Sequence, residues 1–281
     1  MNTAESVELT QRIHINGVEL AWDSWGTPSD RPTLLLCHGF SGSAHDFALH
    51  VEALSTDRRV VTLDHRGHGR STKTKDAATY TIAQLTVDLA AFVEATCDGP
   101  VDLLGHSMGG RMSIGLAIER PDLLRSLIAM DTSAWSFVRP DSEIATLMGA
   151  FFAGFDPAQG LPKLDLPSPE TALIEAGTPK AWRDRKEELS AGFDPYALKA
   201  LGTALFTNDI PPVRDRLKTI AFPVTVIAGA NDHPFSDQAP DLAAEVADGR
   251  VAIIEGAYHS PQLSHPDEWC AAVRAHLDRV G

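Results

Sequence analysis

Residues 101–112 read VDLLGHSMGGRM. Val101 to Leu104 have the length and composition of a buried strand, and the segment from Met108 to Glu119 has helical period. The chain must therefore pass from strand to helix within a residue or two. It does so at Ser107, with Gly105 two positions before it and Gly109 two positions after. So sharp a turn holds the serine in a strained backbone region, and side chains at the two glycine positions would collide with neighbouring elements. G-x-S-x-G between a strand and a helix projects the serine Oγ into a cleft above a sheet. The helix that begins there supplies partial positive charge, and the Met108 N–H points to where an oxyanion forms.

Outward from this joint, short β-branched runs alternate with helical segments. VELTQRIHING (7–17) and VELAWDSWG (18–26) read as a hairpin turning at Asn16-Gly17. PTLLLCHGF (32–40), RVVTLDHRG (59–67), VDLLGHS (101–107), LLRSLIAMDTS (123–133), FPVTVIAGAND (222–232) and GRVAIIEGAYH (249–259) read as six buried strands. Helices are expected at Ala44–Leu54, Ile82–Cys97, Met108–Glu119, Gln238–Ala247 and Pro261–Val280. The pattern predicts an α/β fold: a mostly parallel sheet with an antiparallel start and helices on both faces. Roughly ninety residues between Asp131 and Phe222 break the rhythm. That is too long for a structureless loop, and its amphipathic pieces, 141–155, 168–177, 179–193 and 195–208, predict a helical insertion over the sheet. The expected division is a core of residues 1–131 and 218–281 and a helical cap of residues 132–217.

Composition narrows the chemistry. The 24 Lys+Arg against 38 Asp+Glu give a net charge of −14, spread along the chain. Such a surface repels phosphate backbones and anionic lipid, so neither nucleic acid nor membrane is an expected partner. The three cysteines make no CxxC pair and no closed disulfide framework, which fits a reducing cytoplasm. The beginning of the chain has no basic, apolar leader pattern, and no apolar run approaches the ~20 residues of a membrane helix.

A serine hydroxyl needs a base to take its proton and a third group to orient that base. Among eleven histidines, His259 stands just after the last expected strand, at the sheet edge where open α/β folds gather their sites. Asp232 stands just beyond the preceding strand, giving the chain order Ser107, Asp232, His259. Asp131, one strand earlier, is the competing acid. His106 is read as pointing away from the site, His233 has no assigned role, and His265 reads as a helix cap. Asp64-His65-Arg66-Gly67-His68 reads as a glycine-rich turn pinned by Asp64 and Arg66; its histidines lack the companions of a metal site, so no metal and no cofactor are expected. Cys37 reads as a buried apolar residue. His38-Gly39 ends the first inner strand, so the Phe40 N–H can join that of Met108 around an oxyanion.

HGF, DHRGHGRS, GHSMGG, GAND and GAYH, in this order and spacing, resemble the α/β-hydrolase fold family over all of the chain except the insertion. The resemblance implies an eight-stranded sheet, a Ser-Asp-His triad with a backbone oxyanion hole, and a cap formed by the insertion. Serine at position 107 departs from the haloalkane dehalogenase and epoxide hydrolase branches, which carry aspartate there. GHSMGGRM is also similar to esterases, lactonases, carbon–carbon bond hydrolases and the menaquinone-pathway synthase branch. Within the insertion, Trp135, Phe137, Leu147, Met148, Phe151, Phe152, Trp182 and Phe206 are candidates to line an acyl or ring pocket. No basic cluster there offers a handle for phosphate or coenzyme A. The expected activity is a serine hydrolase acting on a small to medium, mainly apolar ester, with a lactonase or carbon–carbon bond hydrolase as alternatives on the same residues and a ligand-binding protein on the same fold as the non-enzymatic one.

Overall fold

The computed structural model describes residues 9–162 and 168–281. Val7 and Glu8, the start of the first expected strand segment, lie outside them. Eight strands form one sheet: β1 (Gln11–Ile15), β2 (Val18–Trp25), β3 (Leu34–Cys37), β4 (Val60–Leu63), β5 (Val101–His106), β6 (Leu124–Met130), β7 (Val224–Gly229) and β8 (Gly249–Ile254). Their order across the sheet is β1-β2-β4-β3-β5-β6-β7-β8. β1 and β2 pair antiparallel, β2 joins β4 antiparallel, and every later pairing is parallel. The chain steps outward from β3 to β4 on one side and from β5 to β8 on the other. Loops after β3 and β5 therefore diverge, and a crevice opens between them at the carboxyl edge.

The inner strands are buried on both faces, and alternate residues serve different cores. Leu35 and Cys37 of β3 face one cluster, and Leu34 and Leu36 face the other. The first cluster packs against α2 (Ile82–Thr96), α3 (Met108–Glu119) and α8 (Phe235–Ala244). The second packs against α1 (Val51–Leu54) and α10 (Pro266–Val280). β8 differs from the six-buried-strand reading: Val251 and Ile253 are 39% exposed because β8 ends the sheet and has one strand neighbour. Two expected helices are also divided. Ala44–Leu54 is a 3₁₀ turn followed by α1, and Pro261–Val280 is split at His265-Pro266 into α9 (Pro261–Ser264) and α10, because a proline removes the N–H that would continue the first helix.

Between β6 and β7 run α4 (Glu143–Gly154), α5 (Pro169–Gly177), α6 (Lys180–Ala191) and α7 (Pro195–Phe206). Their starts follow local chemistry. Ser142, Ser168 and Asp194 accept hydrogen bonds from Ala145, Thr171 and Tyr196 N–H groups, and prolines open α5 and α7. These helices pack over the carboxyl edge, where Phe193 and Phe206 meet the Phe40 ring. No helix among the described residues is long and apolar enough to cross a membrane.

The joint between β5 and α3 depends on bare backbone. A Cβ on Gly105 would sit 2.4 Å from Ser113 Oγ, 2.5 Å from Gly109 O and 2.7 Å from Gly110 Cα; one on Gly109 would sit 2.5 Å from His38 O. We expect Gly105→Ala to lower the unfolding free energy by about 1–3 kcal/mol through overpacking, read from urea denaturation. Gly154→Ala, whose Cβ would meet nothing within 4 Å, is the matched control and should change stability by less than about 0.5 kcal/mol.

Candidate functional site

Ser107 has φ +53° and ψ −117°, a conformation that L-residues rarely hold. Its neighbours enforce it. The Ser107 N–H continues the sheet ladder by donating to Met130 O (2.9 Å), while its carbonyl already accepts from Arg111 N–H in α3 (3.0 Å) and from Thr132 Oγ1 (2.7 Å). The side chain is consequently thrown clear of both elements. Ser107 Oγ lies 2.9 Å from His259 Nε2, and His259 Nδ1 lies 2.7 Å from Asp232 Oδ2. Asp232 follows β7 and His259 follows β8, so adjacent strand ends deliver the acid and the imidazole.

Electrostatics orders the protons. Burial works against charge on His259, but the Asp232 carboxylate beside it, with Glu170 farther off, outweighs this and holds its pKa above the usual histidine value. Burial likewise opposes charge on Asp232, and His259 beside it outweighs this and brings its pKa below the usual range. Asp131 is wholly buried. Burial first, and the Asp232 charge second, push its pKa far up, which favours the protonated carboxyl beside the Asp232 charge. Its Oδ1 accepts the Gly229 N–H at 2.9 Å. Asp131 thus stands behind the acid and does not reach the imidazole.

Two further side chains support His259. His106 Nε2–H donates to the His259 carbonyl at 2.7 Å, with the rings 4.9 Å apart, and burial depresses the His106 pKa to about 3, so the ring is neutral. Contrary to the expectation that His106 points away from the site, tertiary packing brings the two rings together. Glu170 of α5 accepts the Ser260 N–H beside His259, and burial raises its pKa. No local signal marks Glu170, since its target lies 90 residues on. His233 turns to Asp237 Oδ1 (3.0 Å), and His265 sits at the start of α10 as a cap position.

Ser107, His259 and Phe40 are shared by two clefts. One, of about 480 Å³, is mainly apolar and runs under Phe137, Val138, Leu205, Phe206 and Phe235. The other, of about 310 Å³, is bordered by Ser41, Asp46, Trp182, Lys186 and Gln262. Phe40 and Ser107 border the same cleft, and a Cβ on Gly39 would stand 3.1 Å from Ser107 Cβ, a tight approach of the loop after β3 that glycine eases. As the first residue of α3, Met108 carries an N–H with no partner inside the helix.

Of the pocket candidates, Phe137 and Phe206 line the apolar cleft and Trp182 the polar one. The others are corrected. Leu147 is 63% exposed on the outer face of α4. Phe152 is buried against Phe206 over Gly202, and Phe151 stacks with Phe155 beyond the cleft. Trp135 lies under Arg214, and Met148 packs into the first cluster. Helical spacing identifies an amphipathic face and not which residue on it ends at the cavity. Val138, Ile144, Leu205, Pro234 and Phe235 are the apolar lining residues missed.

The remaining motif residues are structural. Asp64 accepts from the Ala44 and Arg70 N–H groups (2.8 and 2.7 Å), and Arg66 pairs with Asp88. His38, His65 and His68 pack against one another in the interior with tilted and edge-on rings, centroids 4.3 Å apart for the first pair, and burial holds the pKa of His65 at about 4 and of His68 at about 3. No group of three or more His, Cys, Asp or Glu placed to hold a metal ion occurs among the described residues. Cys37 is buried, and burial pushes its thiol pKa up.

Comparison with known proteins gives a consistent neighbourhood. A family model described as alpha/beta hydrolase fold matches residues 32–266. A protein of Caulobacter sp. (strain K31), provisionally named the carbamate hydrolase RutD, is 30% identical over 258 residues, covering 88% of this chain and 91% of the relative. A thermophilic esterase from Thermogutta terrifontis superposes with TM-score 0.73 at 27% identity, covering 96% of this chain and 99% of that one. The enol-lactonase from Burkholderia xenovorans LB400 shares the fold, with TM-score 0.75 at 23% identity over 95% of this chain and all of that one (100%).

NMR titration of the imidazole checks the charge balance. The His259 midpoint is expected above about 6.5, the usual histidine value, in the unaltered protein. In Asp232→Asn the attraction is gone while burial remains, so the midpoint should fall below that value.

Proposed function

Because the chain belongs to the alpha/beta hydrolase fold family and is a hydrolase of that fold, we propose that it works through a serine nucleophile on carboxylic esters. One observation carries the reading: an Oγ held on a strained turn, 2.9 Å from an imidazole whose other nitrogen is 2.7 Å from a carboxylate. Ser107 attacks the substrate carbonyl as His259 Nε2 takes the hydroxyl proton. Asp232 holds the imidazole by its Nδ1–H and stabilises the imidazolium. The Phe40 and Met108 amides receive the developing oxyanion. His259 then returns the proton to the leaving alcohol, leaving an acyl-serine, and water activated by the same imidazole releases the acid.

The apolar cleft suits a small to medium acyl group, and the polar one suits the departing alcohol. The insertion, α4 to α7, serves in this reading as a cap that encloses the acyl group. A second reading rests on the Caulobacter relative: a carbamate, whose carbonyl presents the same electrophile with nitrogen on one side. Both use the same residues.

A fluorophosphonate is expected to label Ser107 alone, located by mass spectrometry. Ser107→Ala should stay folded and lose at least about 10³-fold in kcat. p-Nitrophenyl esters from acetate to octanoate, run beside p-nitrophenyl carbamates, separate the two readings: faster, chain-length-dependent ester turnover supports the first, and preference for carbamate the second. Absence of labelling in folded protein overturns both.

The pH profile has a determined sign. His259 must be neutral to act as base, so kcat/KM should fall as pH drops through its raised pKa, with the midpoint above about 6.5. A profile flat to about pH 5 contradicts the assignment.

A further inference from the structure

A second opening, of about 810 Å³, lies where α2, α3 and α7 meet, and it shares no lining residue with either cleft at Ser107. Small residues keep it open. Ala83 and Ala90 of α2, Gly115 of α3, and Ala200 and Ala204 of α7 stand on facing helix surfaces where larger side chains would close the gap. Its walls are mainly apolar, but one is not. Arg111, one turn before Gly115 on the same face of α3, also borders the groove.

Three arginines are fully buried among the described residues, and they are treated differently. Arg58 pairs with Asp102 at 3.1 Å, and Arg66 pairs with Asp88. Arg111 is 3% exposed and has no carboxylate at ion-pair distance. Its Nη2 donates to the Pro211 carbonyl, and its buried Nε has no hydrogen-bond partner. Burial draws its pKa down to about 10, which still leaves the guanidinium charged at neutral pH. A buried, charged, incompletely satisfied group is costly unless an anion meets it.

We propose that this groove binds an apolar chain ending in a carboxylate, of the size of a medium-chain fatty acid, with the carboxylate on Arg111 and the chain along the alanine-lined walls. The planar guanidinium matches a carboxylate through paired N–H donors. A single cation calls for a single negative charge, and Glu119 and Asp209, which also border the groove, disfavour a doubly charged phosphate. The helices supply no second basic group turned toward the opening apart from Arg120, which is committed to Glu94 and Asp122.

The test is calorimetric titration of the full-length protein with decanoate below its micelle concentration, with decanol as the uncharged comparison. Decanoate should bind the unaltered protein and decanol at least about tenfold more weakly. Arg111→Met should raise the decanoate Kd at least about tenfold by removing the charge. Ala90→Phe should do the same by filling the groove from α2, at a residue that borders neither cleft at Ser107. If Arg111→Met fails to fold, as judged by circular dichroism, Ala90→Phe and the decanol comparison read the same site. Absence of decanoate binding overturns the proposal. So does binding that Ala90→Phe leaves unchanged, which would put the fatty acid in the cleft at Ser107.

Discussion

The backbone of Ser107 is the constraint around which the rest is arranged. Its φ of +53° costs on the order of 1–3 kcal/mol, and it persists because β5 and α3 are each anchored independently. β5 lies between β3 and β6 at the centre of the sheet, with every residue buried, and α3 is buried along nearly its whole length. Neither element can shift to relax the turn. The clearances at Gly105 and Gly109, where a Cβ would approach backbone to 2.5 Å, are what let the two elements come so close. Strain at one residue thus becomes orientation of one hydroxyl.

Around that hydroxyl the sheet spreads its charges over three strand ends. The carboxyls of Asp131 and Asp232 follow β6 and β7 and act on each other electrostatically, and two like charges in a buried site disfavour ionising together. The fully buried member keeps its proton, and the member next to the imidazole keeps its charge. His259 Nδ1 holds the Asp232 carboxylate at 2.7 Å. Neutral His106 and the Glu170 carboxylate fasten the backbone around His259, one from the sheet and one from the insertion. The imidazole is held at Nδ1 by Asp232, and Nε2 is left to exchange a proton across 2.9 Å with Ser107.

The insertion has a double effect on cavities. Where α7 and the loop after β6 cover the carboxyl edge, Leu205, Phe206 and Phe137 shape the apolar cleft. Where the other face of α7 meets α2 and α3, its alanines leave a groove and a buried guanidinium without a counter-ion. One helix therefore shapes two cavities of different character. Leu205 and Phe206 follow Ala204 directly, so the two faces are fixed by a single register.

How much of this the sequence determines depends on range. Strand and helix at the elbow follow from local pattern, and so do the glycines, the cap residues Ser142, Ser168 and Asp194, and the order Ser107, Asp232, His259, because each is a matter of neighbours along the chain or of position after a strand. The charge states of Asp131 and Asp232 are not local: they depend on how closely two strand ends stand and on what buries them. Glu170 and His106 became visible only through contacts 90 and 153 residues away. The same is true of the cavities. Helical periodicity marks Leu147, Phe151 and Phe152 as one apolar population, but crossing of helices sends the first to solvent, the second to a surface stack and the third into a core. The sequence by itself determined the backbone turn and the chemical groups near it, since these rest on sterics and hydrogen bonds a few residues long. Which groups share a proton, which side chains border a cavity and which buried charge lacks a partner were decided only by tertiary structure, because burial and through-space electrostatics arise when distant segments pack.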